Sequence, residues 1–276
     1  MKGSGCAPPA APKHRQTGRH APSGAAFGGP WFEHGGSNAV RATTGGCDRS
    51  RVGEAHGGVV RIGFLLFPNV TQLDLTGPLQ VLHRLPGASV HVVAQARGPV
   101  MSDCGLALVA NEAYDTCAAL DVLCVPGGAG VLDAMADSAT LEFVRRQAAG
   151  ARFVTSVCTG AFVLGTAGLL RGKHATTHWA YTSLLPLVGA IPTPGRVVRD
   201  GAVITGGGVT AGIDFALSLV AELAGEGVAA DVALALEYDP APVRPGAPEA
   251  ADPAVLQAAV ARFAPRLAIY REALGG

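Results

Sequence analysis

Charge is scarce in this sequence. Asp, Glu, Lys and Arg make up 15% of its 276 residues, 21 basic against 21 acidic, and the formal net charge is zero. A chain so balanced has no bulk field to hold nucleic acid or an anionic membrane surface. Aromatic residues are few as well, at 5%. No apolar run reaches the roughly 18 residues of a membrane-crossing helix, so no span is expected. No Gly-Lys-Ser/Thr follows a glycine-rich stretch, which excludes a P-loop, and neither Gly127-Gly128 nor Gly206-Gly207-Gly208 opens a dinucleotide fingerprint. The six cysteines, Cys6, Cys47, Cys104, Cys117, Cys124 and Cys158, form no CxxC pair and no metal spacing with His. The sequence therefore offers no metal site and implies no cofactor. Scattered cysteines in a chain of this length are read as reduced thiols of a cytoplasmic protein.

What is present divides at residue 58. Residues 1–58 hold 13 Gly and 5 Pro, with seven basic and three acidic residues. Val40 and Val52 are nearly their only aliphatic side chains, and no period of 2 or 3.6 shows. The stretch reads as a disordered N-terminal extension. It lacks the apolar core of a secretion signal. Its basic, acid-poor composition suits a targeting peptide or sequence from an upstream start. Its local charge of +4 leaves −4 for residues 59–276, so the folded part is mildly acidic.

From Gly58 onward short apolar runs alternate with helical texture. Val59–Phe67, stopped by Pro68, reads as a strand buried on both faces. Leu79–Leu85 reads as a helix with Pro78 near its first turn. Ser89–Ala94 is the next strand, and Leu106–Ala110 a short one after a Gly98-Pro99 turn. Asp121–Val125 is a buried strand ended by Pro126-Gly127-Gly128. Leu141–Ala149 reads as a helix, Arg152–Ser156 as a strand, and Ala161–Leu170 as a helix. Val197–Arg199 and Ala202–Thr205, split by Asp200-Gly201, read as a hairpin. Two helices follow, Ala211–Leu223 and Val228–Tyr238. This order predicts an α/β three-layer sandwich with a mainly parallel sheet over residues 59–240. A linker and a C-terminal helical segment, Pro253–Leu274, fill residues 241–276 and pack on the body or on a partner subunit.

In such sheets ligands bind beyond the C-terminal strand ends. Cys158 lies there, between a buried strand and a small-residue helix start, in the layout of a nucleophile elbow. First-turn amides and the helix dipole would favour its thiolate; a free Cys is also a common core residue. Asp74 stands between Leu73 and Leu75 in the loop after the first strand. It is placed to move protons beside the sulfur, or else to cap a helix near Gly77. Gly127 and Gly128 could present amides to a developing negative charge, or simply end a strand. His178 and Trp179, in Thr176-Thr177-His178-Trp179, are pocket candidates; His178 is either a base or a satisfied structural residue.

These segments together resemble the DJ-1/PfpI superfamily, whose fold is shared with class I glutamine amidotransferases. The resemblance rests on Ile62–Pro68, Leu73–Pro78, Asp121–Gly128, Thr155–Gly160, Ala175–Trp179 and Ile204–Asp214. It spans residues 59–240 and is nearest to the isocyanide-hydrating branch. It implies a cofactor-free homodimer that converts a small apolar isocyanide and water to an N-substituted formamide. It implies Cys158 as nucleophile, Asp74 as its acidic partner and Thr159 as a neighbouring positioning group. Many relatives have Glu at the acidic position, and the protease-like branch has His directly after the Cys. Asp74 and Thr159 stand there instead and fit the hydratase branch. The same fold serves as the sensing part of AraC-type regulators, which also carry Cys-Thr-Gly and Thr-Thr-His-Trp. The 36 residues after Pro240 are too few, and too weakly basic, for two helix-turn-helix motifs.

Overall fold

The structure is a computed structural model, described over residues 59–276 other than Val243 and Pro245. The expected N-terminal extension, with Cys6 and Cys47, lies outside the described residues.

The first apolar run forms β1 (Val60–Leu65), and the chain then enters α1 (Gln72–Leu82). This helix starts well before the expected Leu79. It takes in Asp74 and carries Pro78 in its interior. A proline there leaves the carbonyl four residues back, that of Asp74, without its usual amide donor. β2 (Ala88–Ala94) follows. The Gly98-Pro99 pair, expected as a turn, instead opens β3 (Gly98–Met101). Pairing explains the difference: β3 runs antiparallel to β4 (Ala107–Ala110) in a separate two-stranded ribbon. β5 (Glu112–Ala113) and β6 (Val122–Val125) come next, then α2 (Val131–Ala136) and α3 (Ser138–Ala148). The Asp137 carboxylate caps α3 by accepting from the amides of Ala139 and Thr140.

β7 (Phe153–Val157) leads through Cys158 into α4 (Gly160–Thr166). β8 (His174–Ala175), a 3₁₀ segment (Trp179–Val188) and β9 (Ile191–Pro192) form an excursion. The expected hairpin is β10 (Val197–Asp200) and β11 (Val203–Gly206), paired antiparallel. α5 (Ala211–Ala224), α6 (Glu226–Ala235) and α7 (Pro253–Ala273) complete the chain.

Seven strands make the main sheet in the order β10-β11-β7-β6-β1-β2-β5, parallel except for β10. Its central strands β6, β7 and β11 are buried at every residue. Continuous burial is why they show no alternation of exposed and buried faces, with Thr155, Ser156 and Thr205 as buried polar residues among them. α1 and α5 pack together over one part of the sheet, and α2, α3 and α4 form the other helical layer. This is the expected α/β three-layer sandwich.

α7 packs on the body. Tyr270 is fully buried, with its ring 5.4 Å from Phe162 and 5.0 Å from Tyr181. No helix of the described residues is long and apolar enough to cross a membrane.

Candidate active site

Four segments meet beyond the C-terminal edge of the sheet and are tied in two pairs through their backbones. The Thr71 amide donates to the Gly127 carbonyl at 3.0 Å. The Cys158 amide is shared between the carbonyls of Gly206 at 3.1 Å and Gly207 at 2.8 Å.

Cys158 joins β7 to α4 with φ of 56°. A side chain in the left-handed region costs on the order of 1–3 kcal/mol, and it persists only where the surroundings over-determine it. Here the amide is held by two carbonyls, and the Thr177 hydroxyl donates to the Cys158 carbonyl at 2.7 Å. Gly160 lets the turn close: a Cβ there would lie 2.2 Å from the Val125 carbonyl oxygen.

Asp74 comes from the first turn of α1 and is fully buried. The expected loop position is thus corrected to a helical one, because the helix begins at Gln72. Nor is Asp74 a cap: Thr71 holds the N-cap position. Its Oδ2 accepts from the Gly127 amide at 3.0 Å, and the carboxyl stands beside the Cys158 thiol. Oδ1 has no hydrogen-bond partner among the described residues. Burial pushes the carboxyl up to about 7, against the opposing pull of Gly127 and Cys158.

The thiolate expected at the start of α4 is opposed by the site. The amide and hydroxyl of Thr159 do favour it, but burial and then the charge of Asp74 outweigh them and raise the thiol well above its ordinary range. The two acids therefore titrate as one unit, which near neutrality exchanges a single proton between carboxyl and sulfur. By contrast Cys124, expected in the core, is buried in β6, and burial pushes its thiol up to about 12.

Gly127 and Gly128 do not offer free amides. The first is engaged by Asp74, and the second donates to the Thr159 hydroxyl at 3.1 Å. In this structure the two amides meet Asp74 and Thr159 in place of the expected anion. This was not legible in the sequence, because both acceptors are distant in the chain.

A cavity of about 170 Å³ opens on this group. Cys158, Thr159, Thr71 and Gly128 line it together with His178, Tyr181, Val209, Phe263 and Arg266. His178 is held in place, its Nδ1 accepting from the Ala180 amide at 3.3 Å, and burial lowers its pKa, so the ring is neutral. Trp179 is not among the lining residues. It stands behind them, 5.6 Å from the rings of both His178 and Phe263. Sequence reasoning missed Phe263, Arg266 and Tyr270 of α7. The signal was available: Leu256, Ala259, Phe263, Leu267, Tyr270 and Leu274 recur at helical spacing. Among the described residues no group of three His, Cys, Asp or Glu side chains is placed to hold a metal.

Comparison with known proteins agrees with this architecture. The DJ-1/PfpI family matches residues 60–222. An isonitrile hydratase of Pseudomonas putida is 58% identical over 214 residues, covering 77% of this chain and 94% of that one. The crystal structure of a ThiJ/PfpI family protein from Pseudomonas syringae superposes with a TM-score of 0.78 at 43% identity. It covers 79% of this chain and 92% of its own. An HTH-type transcriptional regulator of Pseudomonas aeruginosa is 29% identical over 188 residues, which is 64% of this chain and 50% of the regulator. On the residues matched and the likeness of fold, this chain belongs to the DJ-1/PfpI family.

Proposed function

We propose that this protein is an enzyme that hydrates isocyanides, R–N≡C, to N-substituted formamides, with Cys158 as nucleophile and Asp74 as acid and base. The observation that carries the chemistry is the buried Asp74–Cys158 pair at a small cavity. The likeness to an isonitrile hydratase over most of both chains supports the substrate class.

In the singly protonated pair, the proton moves from sulfur to the Asp74 carboxylate as the thiolate forms. The sulfur bonds to the terminal carbon of the isocyanide, and Asp74 gives its proton to that carbon. The product is a thioimidate, R–N=CH–S–Cys158, beside an ionised Asp74. Water then adds its oxygen to the carbon, and its proton passes through Asp74 to the nitrogen. The tetrahedral species R–NH–CH(OH)–S collapses as the C–S bond breaks and the hydroxyl proton returns to the Asp74–Cys158 pair. One isocyanide and one water give one formamide, with the enzyme unchanged.

Each part of the site serves a step. Gly127 aims the carboxyl; the Thr159 amide and hydroxyl steady charge on sulfur. The apolar lining of Val209, Phe263 and Tyr181 suits the R group.

The test is formamide production from a simple aryl isocyanide, followed by absorbance, for the parent and for Cys158→Ser. The parent should turn over. The serine variant should fold with a similar Tm and lose nearly all activity, because an alcohol is a far weaker nucleophile near neutral pH. Substantial turnover by the serine variant rules out the covalent route.

A further inference from the structure

Arg266 occupies an unusual place in this site. Of the residues that line the cavity, it alone among the described residues carries a charge at neutral pH, since burial keeps His178 neutral. It takes part in no salt bridge among the described residues. It is solvent-exposed and yet lines the same cavity as Cys158, so it stands at the entrance and not at the reacting centre. Its charge is felt by the hydroxyls of Tyr181 and Tyr270, whereas the thiol of Cys158 answers to Asp74 and Thr159. A cation in that position does little to activate the sulfur. It faces whatever part of the substrate projects outward while the isocyano carbon meets Cys158.

We infer that Arg266, with the Tyr181 hydroxyl beside it, binds a carboxylate on the R group, so that the preferred substrates are small isocyanides bearing a carboxylate. The inference rests on the isocyanide-hydrating reading. A planar guanidinium with an adjacent phenol hydroxyl matches the two oxygens of a carboxylate. The apolar wall of Phe263 and Val209 would hold the carbon frame between the two ends. The setting makes the cation informative: residues 59–276 carry a net charge of −4, so an anion gains nothing from the body's overall field. Only a local cation favours it.

The experiment compares 4-isocyanobenzoate with its methyl ester, two substrates with the same reacting group and ring. kcat/KM is measured on the full chain for the parent, Arg266→Gln and Arg266→Lys. The parent should prefer the acid by roughly 5- to 20-fold, mostly through KM, as expected for a charge-assisted contact partly open to water. Salt should reduce the preference. Arg266→Gln should bring the acid-to-ester ratio to about one or below, and Arg266→Lys should fall between, keeping the charge without the fork. Turnover of the ester with no preference for the acid overturns the inference and leaves the hydratase reading intact. A preference unchanged in Arg266→Gln also overturns it. Absence of formamide from both substrates overturns the hydratase reading, and the inference with it.

Discussion

The carboxyl of Asp74 lies between the Gly127 amide, which donates to it, and the Cys158 thiol. One oxygen is held at 3.0 Å by a loop that leaves β6, and the same carboxyl meets a sulfur at the end of β7. Asp74 itself belongs to α1, and the two groups that flank its carboxyl follow β6 and β7, adjacent strands of one sheet.

The Asp74–Cys158 pair sets a pH profile. Below about 7 the pair holds both protons and no thiolate is available. kcat/KM should therefore rise as pH increases through about 7. It should fall again only above the ordinary thiol range, where the second proton leaves. Asp74→Asn removes the shared proton. Its rate at neutral pH should drop roughly 10²–10⁴-fold, the usual effect of losing a positioned acid–base group. An Asn variant that matches the parent across the pH range would exclude proton transfer by Asp74.

The same carboxyl predicts a stability effect of definite sign. Its folded pKa of about 7 lies above the ordinary 3.8, so the native state holds the proton more tightly than the unfolded chain does. Its contribution to stability is therefore most favourable below about 4 and is lost as pH rises towards 7. Asp74→Asn should raise Tm relative to the parent near and above pH 7, and the gain should shrink as pH falls to 4. At about 1.4 kcal/mol per pKa unit the gain at neutral pH is on the order of a few kcal/mol. Thermal melts across that range check it; a gain that does not vary with pH would count against the raised pKa.

The elbow should be sensitive to a single methyl group. Gly160→Ala would drive a Cβ into the backbone carbonyls of Val125 and Pro126. Overpacking of this kind costs about 1–3 kcal/mol. Tm should fall, and kcat with it, since the first turn of α4 carries the amide that faces the sulfur. A variant with unchanged Tm and rate would show that the turn yields freely.

Tyr270 invites a substitution with opposite effects on stability and rate. Its hydroxyl is buried without a hydrogen-bond partner among the described residues, yet it stands beside Thr159 and Cys158. An unpartnered buried hydroxyl costs about 1–3 kcal/mol. Tyr270→Phe should leave Tm unchanged or higher, while kcat/KM falls roughly tenfold through loss of the polar group beside Thr159 and Cys158. A variant with full activity would make the hydroxyl incidental.

Much of the candidate site was legible because it depends on local order. Cys158 follows a fully buried strand and precedes small residues, and Asp74 interrupts two leucines. Both are anomalies that a chain does not need for packing alone. The state of the sulfur was not legible, because the helix start argues for a thiolate while burial, a property of the whole fold, argues more strongly against it. The contribution of α7 was hidden for another reason. Val255, Val260 and Ile269 are exposed and fall outside the buried stripe, and Pro265 sits within the helix. They blur a periodicity that otherwise points Phe263 and Tyr270 inward. The partners of the Gly127 and Gly128 amides were not legible, because Asp74 and Thr159 are distant from them in the chain.

The position of α7 has a consequence for how such an enzyme could change its diet. The elbow, the acid and the supporting glycines all lie within residues 60–222, the stretch matched by the family. Phe263, Arg266 and Tyr270 lie after it, on one helix laid across the mouth of the site. On the proposed reading, part of the pocket that meets the R group is therefore written apart from Cys158 and Asp74, while Tyr181 and Val209 of the same pocket lie within residues 60–222. Re-surfacing the Phe263–Arg266 face of that one helix offers a way to admit a different R group while Cys158 and Asp74 are inherited intact.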